Sequence, residues 1–213
     1  DIISESLESL PIEKKMRWGS RRISFVRPVH WIVVMYGPDV LSEPVLGITP
    51  TNITYGHPVH FPDPIRLSSP SVYETTLQSA FVIVDFEKRK NSIQTQVEAL
   101  AKSLNAKAVM DEELLNEVSS LCEWPVALAG NFNPSFLSLP SEALILAMKT
   151  HQKYFHLLNS DGELLPHFIT ICNIESKNPE EVIRGNERVI HPRLSDAAFF
   201  FDSDLKSSLD SKK

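Results

Sequence analysis

Two sets of polar side chains late in the chain have the types and spacing that chemistry needs. The first is the run His151, Gln152, Lys153, Tyr154. A titratable ring, a carboxamide, an ammonium group and a phenol follow one another, with different donor and acceptor patterns. The apolar residues Leu144, Ile145 and Met148 precede them at helical spacing, so the run falls at a helix end, just before a strand. Such a junction can present several side chains together. The plainer reading is a hydrogen-bonded corner that fixes helix to strand, with Tyr154 in the core. The second set is Arg184, Arg188 and Arg193, which at spacings of four and five can lie roughly along one side of a helical or near-helical segment. A guanidinium matches phosphate bidentately. The competing use is internal: Glu180 and Arg184 form a favourable i,i+4 pair, and Glu187 and Asp196 stand nearby. A third cluster lies near the start, where Lys14, Lys15, Arg17, Arg21, Arg22 and Arg27 surround Trp18. It reads either as a phosphate-contacting surface with a stacking aromatic or as a solvated connector whose tryptophan packs.

The elements that must position these groups follow from periodicity and punctuation. Ile2, Ile3, Leu7 and Leu10 have helical spacing, and Pro11 stops that helix. Val29–Tyr36 is a continuous apolar run expected as a buried central strand. Gly37–Pro38–Asp39 is a turn, and Val40–Ile48 a second strand interrupted at Pro44. Ser71 is expected to cap a helix running to Ala80, with Glu74 completing a capping box. Phe81–Val84 reads as a short buried strand. Phe86–Leu104 is a helix whose apolar face carries Ile93, Val97, Leu100, Ala101 and Leu104. The lysine-rich start of that helix opposes its dipole, which suits either a binding surface or, more ordinarily, a solvated face. Asp111 caps the next helix, with Leu114, Leu115 and Val118 inward, and Val126–Ala129 is a strand. Ser141–Thr150 is a helix capped by Ser141. Tyr154–Leu158 and Phe168–Asn173 flank Asp161–Gly162, a hairpin signal. Asn178 and Pro179 open a last helix. Phe199–Phe201 could stack on bases, but three consecutive aromatics more often anchor a helix to its neighbour. With hairpins and no repeating βαβ period, the fold class is α+β: a largely antiparallel sheet with helices packed on it, and helical connectors at both ends.

Bulk properties narrow the function classes. At 213 residues the chain can bury a sizeable core. A formal net charge of −6 excludes a surface basic throughout, while leaving room for a local basic patch. Cys122 and Cys172 lie in apolar contexts, as reduced buried thiols do. No apolar run approaches the roughly 20 residues that span a bilayer. Since the chain opens inside a helical pattern without Met, it is expected to be an internal piece of a longer polypeptide. There is no GxxxxGK[ST], GxGxxG, GxSxG or HExxH run, and no His-Asp dipeptide. His57 and His60 lack third and fourth ligands at supporting spacing, so no metal site is assigned.

The segments THQKYF, LLPHFITICNIESKNP and GNERVIHPRLSDAAFFFDSD, together with MRWG, FVRPVHW and LLNEVSSLCEWPVAL, resemble the beta subunit of bacterial-type, heterotetrameric glycyl-tRNA synthetase. The likeness runs in order along nearly the whole chain. One departure is Pro58, which follows Gly56–His57 where the family usually has arginine. The resemblance implies an editing-like module akin to one in the phenylalanine enzyme's beta subunit. It divides the chain into a helical linker (1–20), the α+β module (21–176) and a helical connector (177–213). It implies a cytoplasmic protein taking part in ATP-dependent charging of tRNA with glycine. The partners are the alpha subunit, tRNA(Gly) and other beta-subunit domains, with no membrane. The aminoacylation site, with its ATP and magnesium, lies on the alpha subunit, and this piece holds no cofactor. Because glycine is the smallest amino acid, its activation pocket can exclude larger ones sterically, and the need for hydrolytic editing is weak. The expectation is a module inactive alone, with no catalytic residue and with Arg17, Arg21, Arg22, His151, Gln152, Lys153, Arg184, Arg188 and Arg193 as tRNA contacts. The alternatives are a deacylase acting on mischarged tRNA through His151 and Lys153, and a pure protein-interaction domain.

Overall fold

The computed structural model describes residues 2–20 and 22–206. The chain divides into two compact units, Asp1–Val82 and Ile83–Lys213. That division falls within the 21–176 stretch.

The first unit is built from short pieces. Helix α1 (Ile2–Glu8) is followed by three antiparallel two-stranded ribbons: β1 (Met16–Arg17) with β2 (Ser24–Phe25), β3 (Met35–Tyr36) with β4 (Asp39–Val40), and β5 (Ile53–Tyr55) with β6 (Pro64–Arg66). Helix α2 (Tyr73–Ser79) ends the unit. Val29–Tyr36 is not the buried central strand its composition suggests. It makes a single bridge, Val33 to Thr51, before the β3–β4 hairpin, and none of its residues is fully buried. Val40–Ile48 likewise keeps only its first residue in a strand and closes on a Val45–Ile48 bridge. Seven prolines stand from position 28 to position 64, and none can donate to a ladder, which keeps β3 to β6 to two or three residues. The Ser71–Glu74 capping box does not form either. Pro70 seeds a 3-10 turn over Pro70–Val72, the helix starts at Tyr73, and the Ser71 hydroxyl pairs with that of Ser69 at 2.7 Å.

The second unit has one antiparallel sheet in the order β7 (Lys107–Ala108), β9 (Phe155–Leu158), β10 (Leu164–Cys172), β8 (Val126–Asn131). Its two faces have separate cores, as period-2 alternation requires. Phe155, Leu157 and Ile169 bury against Ile93, Val97 and Ala101 of α3 (Phe86–Ser103) and Leu114, Leu115 and Val118 of α4 (Glu112–Leu121). On the other face Tyr154 and Phe168 bury against Leu144, Met148, Ile190 and Leu194. These come from α5 (Ser141–Leu146), the turn after it and the long α6 (Pro179–Leu205). Each fully buried side chain of this size contributes about 1.5–3 kcal/mol. Gly130 is where Phe168 crosses β8: a Cβ there would lie 2.5 Å from the ring. The fold is α+β with an antiparallel sheet and helices packed on it, as expected.

Several local signals act as read. Asp111 caps α4, accepting from the backbone N–H of Leu114 at 2.9 Å, and Asp85, which the sequence reading did not assign, caps α3 by accepting from the backbone N–H of Lys88 at 2.9 Å. In the β9–β10 turn the Asn159 carboxamide oxygen accepts from the N–H groups of Asp161 (2.9 Å) and Glu163 (2.8 Å), and Gly162 takes φ +84°. Others do not. Phe81–Val84 is no strand, because the carbonyls of Ile83 and Val84 are taken by the Arg89 guanidinium at 2.6 and 2.8 Å. Arg89 is therefore an internal bracket rather than part of a solvated basic helix start. Ser141 is the first residue of α5, not its cap, and Asn178 opens α6 with no side-chain capping bond.

Candidate nucleic-acid interface

The helix expected to run to Thr150 ends early. Past Leu146 it widens into a single π-helical turn, Ala147–Gln152, and Lys153 closes it in the left-handed region at φ 59°. A π turn and a left-handed lysine are both disfavoured locally, so packing around them must hold them. Three contacts do so. The Lys149 ammonium donates to Asp111 at 2.9 Å and lies 3.6 Å from Glu113. Lys153 pairs with Glu117 at 2.9 Å. The buried Tyr154 stacks on Phe168 with ring centroids 4.4 Å apart and donates its hydroxyl to the Asn186 carboxamide oxygen of α6 at 2.7 Å. Asp111, Glu113 and Glu117 all belong to the start and exposed side of α4, so that helix supplies a row of carboxylates under the turn.

The electrostatics follow from this geometry. The Leu114 N–H and then the Lys149 hydrogen bond hold the Asp111 carboxyl below its ordinary range. The Asp111 hydrogen bond raises Lys149 in return. Burial lowers the half-buried His156, on β9 beside this cluster, so its imidazole favours the neutral form. Burial pushes the Tyr154 phenol up to about 12 and the Cys122 thiol up to about 11, so both stay protonated at neutral pH. Cys122 and Cys172 are free thiols. Among the described residues no three His, Cys, Asp or Glu side chains converge in a way that could hold a metal ion.

The candidate residues therefore separate. Lys153 is spent on Glu117, and Gln152 is half-buried beside it. His151 stays exposed and faces a groove of about 430 Å³ that it shares with Arg193, Leu146, Phe200 and Phe201. Asp196 and Asp204 line the same groove, so its rim carries both signs. Arg184 is held by Glu181 at 2.9 Å and Glu180 at 3.5 Å. Arg188 and Arg193 are exposed and make no ion pair with any described residue. Pro192 sits inside α6 and has no N–H for the Arg188 carbonyl. Because α6 is one continuous helix, five residues turn Arg193 about 140° from Arg188, so the three arginines do not share one side as expected. Glu187, expected as an arginine partner, instead accepts from the Asn131 backbone N–H of β8 at 2.9 Å. Phe199 and Phe200 do not anchor the helix: they are 67% and 64% exposed. In the first unit Arg17 and Arg22 are exposed on the β1–β2 hairpin, while Arg21 lies outside the described residues. The sequence reading missed the Asp111–Lys149 and Glu117–Lys153 pairs. Neither has a local signal, since each spans more than thirty positions.

An α+β module with an antiparallel sheet, whose last helix shows unpaired arginines to solvent, is the class this geometry defines. Comparison with known proteins gives the family. The family model for the glycyl-tRNA synthetase beta subunit matches residues 1–213, and the chain belongs to that family. Among its relatives, the glycine–tRNA ligase beta subunit of Hahella chejuensis is 55% identical over 212 residues, covering 99% of this chain and 31% of the relative. Those of Chromohalobacter salexigens and Marinobacter nauticus are 51% and 50% identical, each covering 100% of this chain and 31% of the relative. The chain thus spans about a third of the length of the curated relatives it matches. No described helix is long and apolar enough to cross a membrane.

Proposed function

We propose that this chain is part of the beta subunit of a cytoplasmic glycine–tRNA ligase and contributes tRNA contact and scaffolding to ATP-dependent glycyl-tRNA formation. The aminoacylation site, with its ATP and magnesium, belongs to the alpha-subunit partner. The observation that carries the RNA role is the state of Arg188 and Arg193. They are exposed on α6 and unpaired to described acids, whereas Lys149 and Lys153 of the neighbouring turn are neutralised internally. Exposed arginines gain most from releasing counterions at phosphates. Contact is favoured over hydrolysis: Lys153 is tied to Glu117 and the buried thiol and phenol stay protonated, so no activated nucleophile among the described residues stands beside His151.

The test is equilibrium binding of tRNA(Gly) to the complete alpha–beta assembly across a salt series. Replacing Arg188 and Arg193 by alanine lowers affinity and flattens the salt slope by about one per lost phosphate contact. Binding with the same affinity and slope in the variant rules out α6 as the contact.

A further inference from the structure

The first unit holds an aromatic cleft that none of the foregoing uses. It measures about 590 Å³, is lined by Trp31, Val33, Met35, Leu67 and Tyr73 among others, and has no charged residue in its lining. Trp31 stands at its mouth, 46% exposed, with its ring 4.7 Å from that of Tyr55 at 61°. Tyr55 is itself 40% exposed. Leaving a tryptophan and a tyrosine together half in water forgoes burial that both side chains could have had. The platform is also fixed in place. Val33 bridges to Thr51, and the Thr51 N–H donates to the Ile32 carbonyl at 3.0 Å, which ties the Trp31 segment to the one carrying Tyr55.

The charge of the stretch that precedes Trp31 in sequence selects the occupant. From Lys14 to Pro38 the chain has six cations (Lys14, Lys15, Arg17, Arg21, Arg22, Arg27) and no acid, within a sequence whose net charge is −6. An uncharged, flat group is wanted in the cleft, and a polyanion is wanted along the segment that leads to it. A nucleobase on a phosphate backbone meets both demands, since stacking is sequence-tolerant and phosphates supply the charge. We propose that the Trp31 cleft of the first unit stacks an unpaired nucleobase of bound RNA. This rests on the RNA-contact role given above and adds a single-stranded contact to it.

The experiment uses the complete assembly and two probes, a short single-stranded RNA of mixed sequence and a blunt RNA duplex of equal length. Trp31→Leu keeps apolar bulk and removes the ring; Trp31→Phe keeps an aromatic face. Single-strand affinity falls several-fold in Trp31→Leu and is largely retained in Trp31→Phe. Duplex affinity and the salt slope are the same in all three proteins, because no phosphate contact is lost. Equal single-strand binding by wild type and Trp31→Leu overturns the cleft while leaving RNA contact elsewhere intact. Failure of the wild-type assembly to bind either probe overturns both readings. Acrylamide quenching checks the cleft without RNA: a quenching difference between wild type and Trp31→Phe is expected from an open Trp31. If the two quench alike, another protein segment covers the ring and the occupant is protein, not RNA.

Discussion

Two basic elements of the second unit end up in opposite states. The lysines of the π turn, Lys149 and Lys153, face the carboxylates of α4 and are neutralised inside the fold. The arginines of α6 beyond Arg184, namely Arg188 and Arg193, face solvent without a described acid partner. Cations in a sequence are therefore not the same as cations on a surface. A lysine already paired must first lose that partner before it reaches a phosphate, so its gain in RNA binding is small. Its contribution lies in holding a turn whose backbone is locally unfavourable. An unpaired arginine contributes little to the fold, because exposed charges do so generally, and is left to act outward. The comparison predicts that charge removal will separate into two kinds of loss.

The largest effect belongs to the unpaired set. Arg188→Ala with Arg193→Ala is expected to lower tRNA affinity of the assembly roughly ten- to a hundredfold, as two charge-assisted contacts would, with the melting temperature unchanged. Arg184→Ala has a smaller effect, since Glu180 and Glu181 already hold that side chain. A fall in melting temperature in the double variant would merge the two classes. Next comes Asp111→Ala, which removes both the cap of α4 and the partner of Lys149. Chemical denaturation should show a loss of about 1–2 kcal/mol, the usual cost of a lost cap. Asp111 has a lowered folded-state pKa, so its contribution is present above the ordinary aspartate value and is lost as pH falls through the folded one. The difference between wild type and Asp111→Ala should thus shrink only at pH below about 4. Lys153→Met comes third. Its pair with Glu117 is partly exposed, which limits the loss to about 1 kcal/mol or less, and tRNA affinity should not move. Weaker tRNA binding with unchanged stability would show that Lys153 lets go of Glu117 to reach RNA.

What the sequence made legible was local. The Asp111 cap acts within three residues, and the Asn159–Gly162 turn within four, so each could be read directly. The inward faces of α3 and α4 followed from spacing alone, except that Leu104, expected inward, lies past the end of α3 and stays exposed. The misreadings share a cause, competition from a distant or overriding partner. The Ile83 and Val84 carbonyls went to Arg89 instead of a strand, and Glu187 went to β8 instead of an arginine. The prolines of the first unit overrode the β-propensity of Val29–Tyr36. For the candidate site, the sequence named segments but could not say which of their cations the fold neutralises. Nothing local to THQK tells that one lysine meets Glu117 while the histidine beside it stays in water.

The smallest effect concerns His156, which sits on β9 beside the matched set, with Asp111 and Lys149 acting on it from opposite signs. Burial is the larger influence and lowers its folded-state pKa. The unfolded chain keeps an ordinary histidine near 6.5. Between the folded value and about 6.5 the unfolded state therefore binds more protons than the folded one, and stability rises with pH across that window. Above it both forms are neutral and the contribution is flat. His156→Gln removes the titrating group and should flatten the slope of stability against pH below neutrality, leaving the plateau above pH 7 close to wild type. If the slope persists in the variant, the proton uptake comes from elsewhere. If it reverses in the wild type, the imidazole is charged in the fold. The carboxylates of α4 would then neutralise a third cation, and the matched set would extend beyond the two lysines of the π turn.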